Sequence, residues 1–243
     1  MLKKVLLFFI LLTFHFSCYS QNNSGIFSKI MYNLILKKNI KNDVILFHNK
    51  SQNSNLVYIR MKHAGKKGYY ESIKQVVDSF RKKNYIICYE GIDFDKDLDN
   101  NEKEIYQKKM RKMIGYDISL TKKNKSLPSY FKNFELQNDH NFGLDKNIDI
   151  NLDLSLKQLI DSTENKYGKI QLSECDLKTP LMQEYKCKND RYYDFLIANY
   201  FRDPFIIKEI EKMKNKNIVL LYGKQHYFMQ RGPINALGYE IVK

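Results

Sequence analysis

Short apolar runs and longer amphipathic stretches alternate along this chain. Val44–Phe47 within DVILFHNK (43–50) and Leu56–Ile59 within SNLVYIRMKH (54–63) are two such runs, joined by the polar turn NKSQNSN. The pattern predicts a β-hairpin. In GYYESIKQVVDSFRKK (68–83), Ile73, Val76, Val77 and Phe80 recur at i, i+3, i+4 and i+7, which predicts an amphipathic helix. NYIICYE (84–90) follows as a buried strand. Residues 94–113 are charged and helix-compatible. Residues 119–150 are rich in Lys, Asn and Asp, with a clear turn at Leu127-Pro128, so about 115–155 is expected to be irregular. DINLDLSLKQLIDSTENKYG (149–168) reads as an extended piece entering a helix, with Ser155 as N-cap. Residues 190–216 have helical period, interrupted near Pro204. The run Ile218–Tyr222 then breaks at Gly223, and Gly-x-x-His, a short helix and the strand GYEIVK close the chain.

These elements contain a weak repeat. NLVYIRMKHAG…NYIICYE and NIVLLYGKQH…GYEIVK share the plan strand, xxxHis, helix, strand. Helical crossovers imply parallel pairing. The expected fold class is therefore α/β: a mixed, largely parallel central sheet flanked by helices, with an irregular middle segment. Ligands of open α/β sheets gather at the carboxyl ends of strands. His63, Glu90 and His226 each fall at such an end, so the three are expected to converge on one edge of the sheet.

Composition narrows the setting. The 243 residues are 43% apolar, enough for a core, and carry a net charge of +14. That charge permits docking on an anionic envelope surface. Nucleic acid is not the expected partner, because no aromatic-basic RNA motif or zinc-finger spacing is present. MLKKVLLFFILLTFHFSCYS has a charged start, a short apolar run and small residues, the pattern of a secretory signal over 1–20. Cleavage after Ser20 is the expected processing, with lipidation at Cys18 and retention as an anchor as alternatives. QNNSG then leads into a short helix, IFSKIMYNLILKK, and 21–243 is read as a single exported domain without a transmembrane helix. In an oxidising compartment Cys175 and Cys187 are spaced to close a short loop, whereas Cys88 lies in an apolar strand as a buried thiol.

Two imidazoles and a carboxylate form a competent set for a divalent metal ion, with a position left open for water. A histidine oriented by the glutamate is the metal-free alternative, acting as a general base. Glycine three residues before His226 lets the backbone turn and approach a ligand closely. Spacing alone also suits ordinary hydrogen-bonded histidines at strand ends.

The closing IVLLYGKQH…GPINALGYEI resembles the last motif of the TraB/PrgY/GumN family, which includes the TIKI metalloproteases and is related to erythromycin esterase and ChaN-type proteins. Those families resemble one another in two Gly-x-x-His motifs and a glutamate after the first. The first motif corresponds to RMKHAG with His63, the glutamate to Glu90 in ICYEGID, and the second to Gly223–His226. Arg202-Asp203 stands where the family tends to carry an Arg-Asp or Arg-Asn pair. The resemblance covers roughly 45–243, with a poorly matched middle third. Arg60 departs from it, standing where the first motif has glycine.

The resemblance implies metal-dependent hydrolysis of a peptide or ester-like bond in a peptide or small-molecule substrate. His63, Glu90 and His226 would hold the divalent ion, and Arg202 would position substrate or Glu90. A non-catalytic protein holding a peptide or haem in the same cleft is the alternative, motivated by Arg60. Asp203 is expected to cap the helix restarted at Pro204. Of Tyr69 and Tyr70, one is expected to pack and one to be exposed. His48 is read as a hairpin residue, His140 as a loop residue, and Asp149 and Asp153 as members of an Asn/Asp-rich loop.

Overall fold

The computed structural model describes residues 40, 42–115, 134–188 and 197–242. The signal segment, Cys18, the lead-in helix and the Leu127-Pro128 turn lie outside them. Residues from Asn42 onward belong to one compact unit.

The hairpin forms as the pattern predicts. β1 (Val44–Asn49) pairs antiparallel with β2 (Ser54–Met61), and Asn49 lies opposite Ser54. β3 (Ala64–Lys66) follows, then α1 (Tyr69–Arg81) and β4 (Ile86–Tyr89). The helix-compatible stretch becomes α2 (Asn100–Ile114), started by a capping box between Asp99 and Glu102. β5 (Phe134–Leu136) gives the middle segment more order than its composition predicts, and β6 (Ile150–Asn151) falls in the expected extended piece. Ser155 caps α3 (Leu156–Tyr167) through a box with Gln158. After α4 (Glu174–Lys178) come a π-helical turn (Ile197–Arg202), α5 (Asp203–Lys212), β7 (Ile218–Gly223), α6 (Lys224–Ala236) and β8 (Tyr239–Ile241). No helix among the described residues is long and apolar enough to cross a membrane.

The molecule is an α/β protein with a mixed sheet ordered β6–β4–β7–β2–β1–β8. β6, β4, β7 and β2 run parallel, and β1 opposes β2 and β8. The two repeat units therefore diverge. β2–α1–β4 steps over β7 in one direction, while β7–α6–β8 steps over β2 and β1 in the other. Right-handed crossovers place α1 and α6 on opposite faces. The neighbours β2 and β7 thus form the topological switch point, at whose carboxyl edge open α/β sheets take their ligands.

On one face Leu56, Tyr58, Cys88, Leu220 and Tyr222 pack with Ile206 and Ile210 of α5 and Tyr227 and Ile234 of α6. The alternate positions Val57, Ile59, Ile87 and Val219 are buried too, as expected for central parallel strands. A small β3–β5 sheet steadies the segment after His63. From β5, Glu135 Oε1 accepts the backbone N–H groups of Gly68 and Tyr70 at 3.0 and 3.4 Å, placing a carboxylate at the amino end of α1. Tyr69 and Tyr70 are both buried rather than split, because each hydroxyl reaches a β2-side carbonyl, Arg60 O at 3.2 Å and Lys62 O at 2.6 Å. Cys175 and Cys187 are joined, and Cys88 is a buried free thiol.

Candidate active site

The carboxyl edge of the sheet carries a buried chain of charged and polar groups. Glu90 follows β4, and its backbone N–H donates to Leu221 O of β7 at 3.0 Å. This brings its side chain across the end of β7. Glu90 Oε2 accepts the Gly223 N–H at 2.6 Å, and Oε1 accepts Arg202 Nη2–H at 2.7 Å. Glycine at 223 leaves room for this approach: a Cβ there would stand 3.0 Å from Glu90 Oε2 and 3.4 Å from His226 Cδ2, so the carboxylate would have to give way. The amino end of α6 also favours the carboxylate through the helix dipole.

Arg202 ends the π-helical turn and bridges two carboxylates. Its Nε and Nη2 donate to Asp153 Oδ1 and Oδ2 at 2.9 and 2.5 Å, the two-point pairing that suits guanidinium. Nη2 also reaches the Tyr222 hydroxyl at 3.2 Å. Asp153 lies just past β6, whose ladder continues through Leu152 N–H to Tyr89 O. Asp203, the next residue, faces differently, as neighbours on a helix do. Its Oδ1 accepts His226 Nδ1–H and Gln230 Nε2–H, both at 2.7 Å. No side chain caps α5, so Asp203 holds His226 instead of the expected cap. His226 sits in the first turn of α6 rather than on the strand. Its ring meets Tyr222 edge-on at 4.9 Å, and its Nε2 stands 3.7 Å from Glu90 Oε1.

Charge pairing controls ionisation here. Burial pushes the Glu90 carboxyl up, but the charges of Arg202 and His226 and the bonds from Arg202 and Gly223 outweigh it. The group is held below the usual carboxylate range. Burial opposes the Arg202 charge, yet Asp153, Tyr222 and Glu90 raise its pKa well above the ordinary value. Tyr222 is pushed far up, chiefly by burial, and stays a neutral hydroxyl. Its hydroxyl donates to Asp153 Oδ2 at 3.2 Å.

Of the four residues expected from the sequence, Glu90, Arg202 and His226 meet. His63 lies past the end of β2, one strand from His226 and at the same sheet edge, but its side chain is exposed. No bond among the described residues links it to the cluster. Arg60 does not intrude: its guanidinium turns to Asn42 O and Asp43 and lies 5.1 Å above the Tyr227 ring. Asp149 pairs with Arg81 at 2.8 Å, His48 bonds Asn55 in the hairpin, and His140 is exposed in a loop.

Scans of family models, curated proteins and solved structures return no match to this chain. The reading of the site therefore rests on its own geometry.

The residues do not fit the three-ligand metal set implied by the resemblance. Both Glu90 oxygens already accept hydrogen bonds, one from a guanidinium whose charge opposes a second cation there. His63 is outside the cluster, and no group of three His, Cys, Asp or Glu among the described residues is arranged around a metal position. What remains is an imidazole with Nδ1 anchored to a carboxylate and, among the described residues, Nε2 without a hydrogen bond. Sequence reasoning left Asp153 as a loop residue and Asp203 as a cap, and passed over Tyr222 and Gln230. A signal existed for two of them: Asp153 follows the alternating Ile150-Asn151-Leu152 stretch, and Gln230 is four residues from His226 on one helix face.

Proposed function

We propose that the carboxyl edge is a hydrolytic site for a peptide or ester-like bond, working by acid–base chemistry with His226 as the base. One observation carries this: His226 Nδ1 is held by Asp203 at 2.7 Å, which turns Nε2 toward Glu90. An imidazole so oriented takes a proton at Nε2, and a neighbouring carboxylate stabilises the imidazolium that forms. Water gives a proton to His226 Nε2, and its oxygen adds to the carbonyl carbon. The tetrahedral oxyanion collapses, the bond to the leaving group breaks, and the leaving group takes the proton back from Nε2. Glu90 stands 3.7 Å from Nε2 and balances the transient charge. Arg202 keeps Glu90 ionised, and its Nη1, which carries no hydrogen bond among the described residues, supplies a donor for the oxyanion. The Cys175–Cys187 disulfide supports action outside the cytoplasm, as the signal-like start suggests.

Ligand binding without turnover is the second reading. It is favoured by the near closure of the cluster, where Arg202 and His226 are each only 8% exposed.

The test is a panel of chromogenic esters and peptides with wild type, His226→Asn and His63→Ala, with and without chelator, alongside elemental analysis. Turnover that survives chelation and His63→Ala but falls about 10²–10⁴-fold in His226→Asn is expected. Turnover requiring about one ion per chain, and lost in His63→Ala, would restore the three-ligand metal site. A ligand that saturates the protein without product would favour binding.

A further inference from the structure

Asp203 has a peculiar bonding pattern. Oδ1 accepts two hydrogen bonds, while Oδ2 is buried and accepts none among the described residues. Its position therefore depends on its two donors, His226 and Gln230. Gln230 is fully buried in α6, one turn after His226. Its amide is polarised in turn, because Oε1 accepts the Tyr58 hydroxyl at 2.9 Å.

Tyr58 lies in the middle of β2, also fully buried, with its ring edge-on to Tyr227 at 5.1 Å. Burial, reinforced by Glu90 and Asp203, raises its pKa, so the phenol keeps its proton and acts as donor. The amide of Gln230 then has one workable orientation. Flipped, it would set Oε1 against a carboxylate oxygen and leave the Tyr58 proton facing Nε2–H₂ without an acceptor. Two acceptors would face each other with no proton between them, in a site where unmade bonds are costly.

We propose that Gln230, oriented by Tyr58, is a positioning residue that locks Asp203 and so fixes His226 in the Nδ1–H tautomer with Nε2 bare. The chain runs Tyr58 O–H to Gln230 Oε1, Gln230 Nε2–H to Asp203 Oδ1, and His226 Nδ1–H to the same oxygen. Its direction is set from a rigid central strand, and it ends on the nitrogen opposite the working one. Without Gln230, a single bond, from His226, would hold Asp203 among the described residues, and the carboxylate would be freer to turn. This deepens the hydrolytic reading, which needs a bare Nε2, but its test does not depend on turnover.

The experiment is long-range ¹H–¹⁵N NMR of the histidine rings, at a pH where the His226 ring is neutral. The His226 signals are identified by their loss in His226→Asn. Wild type should show Nδ1 protonated and Nε2 bare. Gln230→Met, close in shape and without the amide, should raise the Nε2–H share roughly five- to tenfold, the weight of one buried hydrogen bond. Tyr58→Phe keeps the ring packing, leaves Gln230 Oε1 without its donor and so loosens the amide, and should raise the share about two- to threefold. Should Gln230→Met fail to fold, Tyr58→Phe alone decides. Wild-type tautomer ratios in the folded variants, with mixing in Asp203→Asn, would overturn the positioning role and leave Gln230 as packing. An unchanged ratio in Asp203→Asn as well would remove the Asp203–His226 pairing, and with it the hydrolytic reading.

Discussion

Two regions of this protein bury charge, and they do so to different ends. On the α2–α4 side, Arg111 is 1% exposed and donates to three carbonyls, Pro180 O, Asp176 O and Thr179 O, at 2.8–2.9 Å. The Asp176 carboxylate is held by Lys112, Ser173 and Tyr185, and Glu164 by Lys109, Lys169 and the Ile170 N–H. Arg111 and the Asp176 group clip the disulfide-closed segment onto α2, and the Glu164 group ties α3 to it. At the carboxyl edge of the sheet, Glu90, Asp153 and Arg202 are paired as tightly, yet His226 Nε2 carries no hydrogen bond among the described residues. Charge bonded mainly to backbone and to lysines around it holds chain segments together. Charge arranged around an imidazole with one bare nitrogen is equipped for proton transfer.

Removing the arginine of each region separates these roles. Arg202→Met leaves Glu90 and Asp153 unpaired and should cost about 3–5 kcal/mol of stability by denaturant unfolding, together with any turnover. Arg111→Met strands three carbonyls and should cost about 3 kcal/mol, with turnover of the folded fraction unchanged. Equal losses of turnover per folded molecule would erase the distinction.

The disulfide belongs to the first region alone. Cys175 and Cys187 are separated by 12 residues in sequence. Replacing both with serine should lower stability by about 2–3 kcal/mol, the value for a short closed loop. The ring-nitrogen signals of His226 should not move. A shift there would show that the clip and the carboxyl edge are coupled.

A smaller, sharper effect is expected at Gly223. Gly223→Ala inserts a Cβ 3.0 Å from Glu90 Oε2 and should displace the carboxylate. Stability should fall by about 1–2 kcal/mol, and turnover by roughly tenfold if Glu90 steadies the imidazolium. Full turnover would place Glu90 outside the reaction.

Acid should weaken both regions gently. The carboxyls of Glu90, Glu164 and Asp176 are all depressed in the folded chain, because their cationic and hydrogen-bonding partners outweigh burial. Depressed carboxyls contribute stability that is present above the unfolded value near pH 4 and is lost as pH falls through the folded values. Unfolding midpoints should therefore drop progressively below about pH 4. Glu90→Gln should remove one share of that slope, and Asp176→Asn another. A wild-type slope in both variants would disprove the pairing that depresses them.

Local pattern alone determined much of this protein. The hairpin, the amphipathic α1, the Ser155 cap and the break at Gly223 follow from periodicity and capping chemistry, which act over a few residues. Parallel pairing through helical crossovers was legible too, though not the order of the strands, so Glu90, His63 and His226 could be read as residues of one sheet edge. Tertiary structure decided what each does there. The bonds that matter join Glu90 to Arg202 across 112 residues, Arg202 to Asp153 across 49, and His226 to Asp203 across 23. No short-range rule fixes which buried carboxylate a guanidinium or imidazole will find. Asp203 read as a helix cap because its neighbours in sequence suggested one, but packing of α5 against α6 offered it a stronger donor. His63 read as a ligand because it ends a strand, but the turn into β3 leaves it in solvent. Sequence placed the chemistry at an edge, and the packing of helices across that edge selected the residues that share its protons.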